Sequence, residues 1–282
     1  MRTRAISGVK VSAIGLGGMP MSLEDRPDEE QSIRTIHAAL DEGVTLIDTA
    51  DAYCIDDSEI GHNERLIAKA LASWPSSETV YVATKGGHTR PGDGSWAQDG
   101  SPEHLRTACE ASLRALGVDS IWLYQYHRPD SKVPFAESVG TIAELQAEGK
   151  VQLVGLSNVS IAQIDEARSI ADIASVQNEF SPVYRDSQPE LRHCNEQGIA
   201  FLPWSPLGGI GSAGDLGERN RAFSEVAEEC GVSPQRVAIA WELALAPNVI
   251  PIPGASRPET IKDSLAAADL ELSDEQLHRL NG

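Results

Sequence analysis

Thr45-Leu46-Ile47-Asp48-Thr49 is an apolar run of strand length that closes on a carboxylate, and the rest of the chain keeps returning to that design. Comparable runs span residues 80–85, 121–127, 153–158, 174–179, 200–206 and 249–254. They end on or carry Lys85, His127, Ser157-Asn158, Gln177-Asn178, Trp204-Ser205 and Gly254. Residues 12–17 add an eighth strand at the head of the series. Helical periodicity fills the gaps: Ile33, Ile36, His37 and Leu40 share one face, and Leu105, Ala108, Leu113 and Leu116 share another. Ser101-Pro102 and Ser233-Pro234 read as a capping serine followed by a first-turn proline. Gly43, Gly117, Gly149, Gly198 and Gly231 stand where helices should stop.

Eight strands alternating with helices build either a closed barrel or a doubly wound open sheet. The polar strand ends choose between them. In a barrel they converge on one mouth, where barrel enzymes place their chemistry. An open sheet would string them along a line at about 4.8 Å per strand. The open-sheet dinucleotide fingerprint also fails: in Gly15-Leu16-Gly17-Gly18-Met19-Pro20, proline takes the place of the third glycine and no helix follows directly. The expected fold is therefore α/β, a (β/α)8 TIM barrel. A short β-hairpin precedes it, because Arg4-Ala5-Ile6 and residues 10–14 flank Ser7-Gly8.

Size and composition agree with one domain over residues 1–282. The chain is 41% hydrophobic and of the length such a barrel needs, about 250 residues. No apolar stretch reaches the roughly 20 residues that cross a bilayer. No apolar run follows the basic N-terminus, so a signal peptide is not expected. Cys54, Cys109, Cys194 and Cys230 are widely spaced and match no metal-ligand pattern, which points to reduced thiols, no metal and a cytoplasmic setting. A net charge of -19 argues against nucleic acid and anionic membranes as partners. A phosphate-bearing cofactor would need a locally positive pocket within that field.

Asp48, Tyr53, Lys85 and His127 are the candidate catalytic set. Carbonyl reduction needs a hydride donor and a proton donor, since the developing alkoxide must be neutralised. A free phenol, with a pKa near about 10, is a sluggish acid at neutral pH. An adjacent ammonium should lower that pKa, and a carboxylate can hold the ammonium in place. Lys85 and Asp48 suit those roles beside Tyr53, and His127 can fix the substrate oxygen.

These residues also carry a family resemblance. Ile47-Asp48-Thr49-Ala50-Asp51-Ala52-Tyr53 resembles the Asp-(x)4-Tyr signature of the aldo-keto reductase superfamily, and Lys85 and His127 match its lysine and histidine. The likeness runs through Gly155-Leu156-Ser157-Asn158, Gln177-Asn178-Glu179 and Trp204-Ser205-Pro206-Leu207-Gly208. It is closer to the potassium-channel β-subunit-like and pyridoxal-reductase-like bacterial groups than to the aldose reductase group. It implies a barrel that binds NADPH or NADP+ in extended form, with NADH disfavoured, and a small-molecule carbonyl substrate. No oligomeric state is implied.

By resemblance, Ser157, Asn158 and Gln177 would hold the nicotinamide carboxamide, and Trp204 would stack on the ring. Gly18 and Met19 would sit beneath the nicotinamide ribose, and Ser205, Pro206 and Leu207 would line the pyrophosphate. Gly254, Ser256, Thr260, Asp263 and Ser264 would touch the 2′-phosphate, ribose and adenine. Gly254 and Thr260 stand where many relatives have lysine and arginine. The positive charge is therefore expected from a helix N-terminus near Arg257-Pro258, from Arg257 itself and less from Lys262. Trp96, in the long loop of residues 86–100, is the candidate substrate-pocket wall. The five glycines of residues 208–217 suit a mobile flap. Two competing readings are a non-catalytic NADP(H)-binding redox sensor and a Schiff-base enzyme using Lys85.

Overall fold

The computed structural model describes residues 1–282. Eleven strands are formed: β1 (Thr3–Ile6), β2 (Val9–Ser12), β3 (Leu16–Gly17), β4 (Leu46–Asp48), β5 (Tyr81–Gly86), β6 (His88–Thr89), β7 (Ala97–Gln98), β8 (Ile121–Tyr126), β9 (Val151–Ser157), β10 (Ile173–Gln177) and β11 (Ala200–Phe201). The helices are α1 (Glu29–Asp41), α2 (His62–Ser73), α3 (Pro102–Leu116), α4 (Phe135–Ala147), α5 (Ile161–Arg168), α6 (Gln188–Gln197), α7 (Leu216–Arg219), α8 (Arg221–Cys230), α9 (Pro234–Leu245), α10 (Pro258–Leu265) and α11 (Asp274–Asn281). Seven parallel strands run in the order β11-β10-β9-β8-β5-β4-β3.

Residues 249–254 close the circle as the eighth stave. Phe201 bridges Val249 and Gly17 bridges Gly254, both in parallel. On one side the amides of Ile250 and Ile252 donate to Phe201 and Pro203; on the other, the carbonyls of Pro251 and Pro253 accept from Gly15 and Gly17. The two prolines have no N–H to return, so the ladder toward Gly15–Gly17 is one-way, whereas toward β11 Phe201 also donates to Asn248. Side chains leave little room at the seam: a Cβ on Gly17 would stand 2.8 Å from the carbonyl oxygen of Ile252.

The hairpin β1–β2 turns through Ser7 (φ 46°) and Gly8 (φ 81°), the two left-handed residues that a tight type I′ turn needs. It plugs the bottom of the barrel: Ile6 and Val11 pack with Leu46, Ala83, Leu123, Ala174, Leu202 and Ile250 in the interior cluster. Two larger apolar clusters lie outside the strands, between sheet and helices. The helix ends follow local chemistry. Ser101 and Ser233 cap α3 and α9 ahead of prolines, and Gly43, Gly117, Gly149, Gly198 and Gly231 all take positive φ. Above the apolar interior the register sets Asp48 beside Ala83, Lys85 beside Gln125, and Ser157 beside Gln177. A polar layer thus forms at the C-terminal ends of the strands. The expected loop of residues 86–100 folds partly on itself, as the small antiparallel hairpin β6–β7.

Candidate active site

The polar layer opens into one cavity of about 1350 Å³, which reaches from Tyr53, His88, Trp96 and His127 past Trp204 to Arg257, just before α10, and Ser264 on it. Asp48 and Lys85 come from the ends of β4 and β5, and their side chains turn inward. Lys85 is completely buried and all three of its N–H donors are engaged: Asp48 Oδ2 at 2.6 Å, the carbonyl of Thr49 at 2.9 Å, and Tyr53 Oη at 2.9 Å. The other Asp48 oxygen accepts from Gln177 Nε2 at 2.8 Å and Gln125 Nε2 at 3.1 Å. A carboxylate held on both oxygens fixes the ammonium, and the ammonium fixes the phenol. Because Lys85 donates to the Tyr53 oxygen, the phenolic hydrogen must point elsewhere, and Tyr53 lines the cavity.

The electrostatics correct one expectation. Burial pushes the Tyr53 phenol above its ordinary value, outweighing the downward pull of Lys85. In a closed site the desolvation of a phenolate is the larger effect, so Tyr53 keeps its proton at neutral pH. Burial also opposes the charge on Lys85, but Asp48 and Tyr53 raise its pKa in spite of that. His127 is driven well below the normal histidine range, first by burial and then by the charges of its neighbours, and so stands neutral. Its ring meets Tyr53 edge-on at 5.7 Å and His88 at 4.2 Å, and its Nδ1 has no partner. His88 is lowered to about 4 by burial and hydrogen-bonds the Ala97 carbonyl.

Next to this group lies a second hydrogen-bonded set. Ser157 Oγ donates to the Gln177 carbonyl at 2.8 Å, and Asn158 Nδ2 donates to the His127 carbonyl at 2.9 Å. Trp204 Nε1 donates to Asn158 Oδ1 at 3.2 Å, which sets the plane of the indole. Asn158 (φ 60°) and Ser205 (φ 52°) are two of only four non-glycine residues with left-handed backbone. Both line the cavity, and conformations of this cost gather at ligand sites. Gln177 was expected to face a ligand amide, but its Nε2 is already committed to Asp48, leaving its Oε1 as the free end.

At the far end, α10 begins at Pro258 with no side-chain cap, so its first N–H groups are open toward the cavity wall formed by Ser256, Arg257 and Thr260. Gly254 opposes Pro20, whose Cγ would be 2.7 Å from a Cβ at that position. A lysine there would displace the proline. Asp263 lines the wall but is held by Arg236 at 2.6 Å and by Ser233. Lys262 turns away to pair with Glu42 at 3.6 Å. Met19, Pro206, Leu207 and Ser264 line the cavity, whereas Gly17 rather than Gly18 faces it. Gly18 packs behind, with a Cβ at that position only 2.3 Å from Asn63 Oδ1. Trp96 lines the opposite end, under the Arg90 guanidinium at 4.2 Å.

Sequence reasoning missed Gln125, Asn63, His88, Arg128 and Arg236. For Gln125 and Arg128 a signal existed, since both flank the strand end marked by His127. Only the register shows that Gln125 faces Asp48.

A closed barrel with a buried lysine–tyrosine–carboxylate group at the C-terminal mouth of its strands defines a barrel enzyme with its chemistry on the strand ends. The chain belongs to the aldo/keto reductase family, whose pattern matches residues 13–282. It is 33% identical over 287 residues to pyridoxine 4-dehydrogenase of Escherichia coli, covering 99% of this chain and 96% of that protein. Among solved structures it superposes on the glycerol dehydrogenase of Gluconobacter oxydans with a TM-score of 0.85 and 28% identity, covering 99% and 94% of the two chains. An aldo-keto reductase from Klebsiella pneumoniae, solved with NADPH, matches with a TM-score of 0.82 and 25% identity over 100% and 95%. No helix of the structure is long and apolar enough to cross a membrane.

Proposed function

We propose that this oxidoreductase reduces an aldehyde or ketone, or oxidises the corresponding alcohol, with NADP(H), and that Tyr53 is the proton donor and acceptor. The contact of Lys85 with Tyr53 at 2.9 Å on the wall of a cofactor-sized cavity carries the reading. The cavity suits NADPH on its own evidence: strained Asn158 and Ser205, close-packed Gly17 and Gly254, and an uncapped helix N-terminus beside an arginine with no protein acceptor. The relative solved with NADPH supports the same choice. Ser157, Asn158, Gln177 and Trp204 would hold the nicotinamide, Met19 and Ser205–Leu207 the ribose and pyrophosphate, and Ser256, Arg257, Thr260 and Ser264 the adenosine phosphate. When bound, the nicotinamide supplies the hydride.

The residues of the chain do the rest. Tyr53 presents its hydrogen to the substrate oxygen, because Lys85 occupies its lone pair from the other side. Neutral His127 donates a second hydrogen bond to that oxygen and orients the carbonyl. As the phenol gives up its proton, the phenolate is met by an ammonium already in contact with it, so no reorganisation is needed. Asp48 positions Lys85, and Gln125 and Gln177 position Asp48. Trp204, locked by Asn158, covers one side of the site and helps exclude water. The redox-sensor alternative gains nothing from a site in which all four groups stand assembled.

The test is consumption of NADPH, followed at its absorbance, with 4-nitrobenzaldehyde and with pyridoxal, the latter chosen from the name of the E. coli relative. Turnover of at least one aldehyde supports the reading. No turnover across an aldehyde and ketone panel, with NADPH demonstrably bound, would return the protein to the sensor reading.

A further inference from the structure

Two arginines line the cavity, Arg257 at the phosphate end and Arg128 beside His127, and neither side chain bonds any acceptor in the protein. Arg114, Arg192 and Arg219 also lack an acceptor but, like Arg257, are exposed to water, whereas Arg2, Arg34, Arg106 and Arg221 have found a carboxylate. The cofactor reading accounts for Arg257 and leaves Arg128 unexplained. Arg128 is half-buried and its charge is felt by both His127 and His88. Glu179 feels it too, yet forms no salt bridge with it. The one acid lining this end is Asp48, which Lys85 already balances at 2.6 Å. His88 and His127 are both shifted toward the neutral form, so the Arg128 charge next to the reacting position is met only at longer range, by Glu179.

A guanidinium that is partly desolvated and without a partner is held at a cost unless something anionic completes it, and its planar fork suits carboxylate or phosphate oxygens. We propose that Arg128 anchors an oxyanion on the substrate, so that the preferred substrates are aldehydes or ketones carrying a carboxylate or a phosphate. His88, neutral, and Trp96, held under Arg90, would form the wall against which the body of such a molecule packs. The inference rests on the reductase reading and narrows it.

It is tested on the NADPH-loaded enzyme with two matched pairs: 4-carboxybenzaldehyde against methyl 4-formylbenzoate, and D-glyceraldehyde 3-phosphate against D-glyceraldehyde. The charged member of at least one pair should show kcat/KM about tenfold or more above its neutral partner, mainly through KM, as a charge-assisted contact supplies. Which pair shows the preference identifies the oxyanion. Arg128→Met should lower kcat/KM for the charged member about tenfold more than for the neutral one, bringing the two to one level. Arg128→Lys should recover part of the preference.

Equal use of both members in both pairs overturns the proposal. So does an Arg128→Met variant that slows both members alike, or one that raises only the KM for NADPH. Calorimetric titration of the NADP+-loaded enzyme with 4-carboxybenzaldehyde and with D-glyceraldehyde 3-phosphate separates the two levels. Binding that needs Arg128, in a wild-type enzyme that turns over no carbonyl, would uphold the anion site and overturn the reductase reading. Turnover of neutral aldehydes with neither anion preference nor Arg128-dependent binding would do the reverse.

Discussion

At one end of the cavity Asp48 uses both oxygens on Lys85, Gln125 and Gln177, while at the other Arg257 touches no acceptor. At the carbonyl end the proton-transfer group is finished before any ligand arrives: Lys85 is wholly buried with each hydrogen engaged, and Asn158 ties His127 to Trp204. The phosphate end is left open, with uncapped helix N–H groups, an exposed arginine and a glycine-rich approach. The difference reflects what each end must do. Proton transfer requires groups fixed to within fractions of an ångström, whereas holding a dianion requires only unsatisfied donors and positive potential.

The largest effect should come from the finished end. Tyr53→Phe is expected to lower turnover by about a hundredfold or more, as the loss of a general acid does, while NADPH affinity measured by fluorescence titration stays within error. Survival of turnover would mean another donor supplies the proton. Lys85→Met breaks the same group but should register as instability, because it strands a buried carboxylate: a loss of about 3–5 kcal/mol in denaturant unfolding is expected. An unfolding midpoint equal to wild type would show that the layer is less tightly coupled than its hydrogen bonds suggest.

How much of this was legible in the sequence follows the same divide. Asp48, Lys85 and His127 announce themselves because a polar residue at the end of an apolar strand has no packing reason to be there. The eighth stave was legible from its apolar residues, although Pro251 and Pro253 make its ladder toward β3 one-way. The first stave shrank to Leu16–Gly17, because residues 9–12 belong to the plugging hairpin. What stayed hidden depends on register and burial. Gln125 faces Asp48 only because strand pairing sets it beside Lys85, and the direction of the Tyr53 shift turns on desolvation, which residue order does not express. Arg236, which takes up the Asp263 carboxylate, comes from a different helix 27 positions away.

The open end gives smaller, more separable effects. Arg257→Ala should raise the KM for NADPH roughly tenfold and leave that for NADH nearly unchanged, since one charge-assisted contact to a phosphate is removed. Equal loss for both cofactors would place Arg257 on a part they share. The pH dependence sharpens the contrast further. With Tyr53 raised and with His127 and His88 lowered, neither acid nor imidazole changes protonation between about pH 6 and 8, given ordinary values near about 6.5 and 10. For a neutral aldehyde kcat/KM should be flat across that window and fall only on the alkaline side, as Tyr53 loses its proton. A bell centred near neutrality would contradict the assignments. The smallest effect concerns residues 208–217, where Gly208, Gly209 and Gly211 are left-handed and Ile210 is 60% exposed at the cavity edge. Saturating NADPH should slow limited proteolysis there, and unchanged nicking would remove the flap.

The most direct measurement is a crystal structure of the complex with NADP+ and 4-nitrobenzyl alcohol. Proton transfer by Tyr53 requires the alcohol oxygen within hydrogen-bond distance of both Tyr53 Oη and His127 Nε2, with the Lys85–Tyr53 contact retained and the nicotinamide against Trp204. An alcohol oxygen bound away from Tyr53, or a phenol swung off Lys85 once the cofactor is in place, would contradict it.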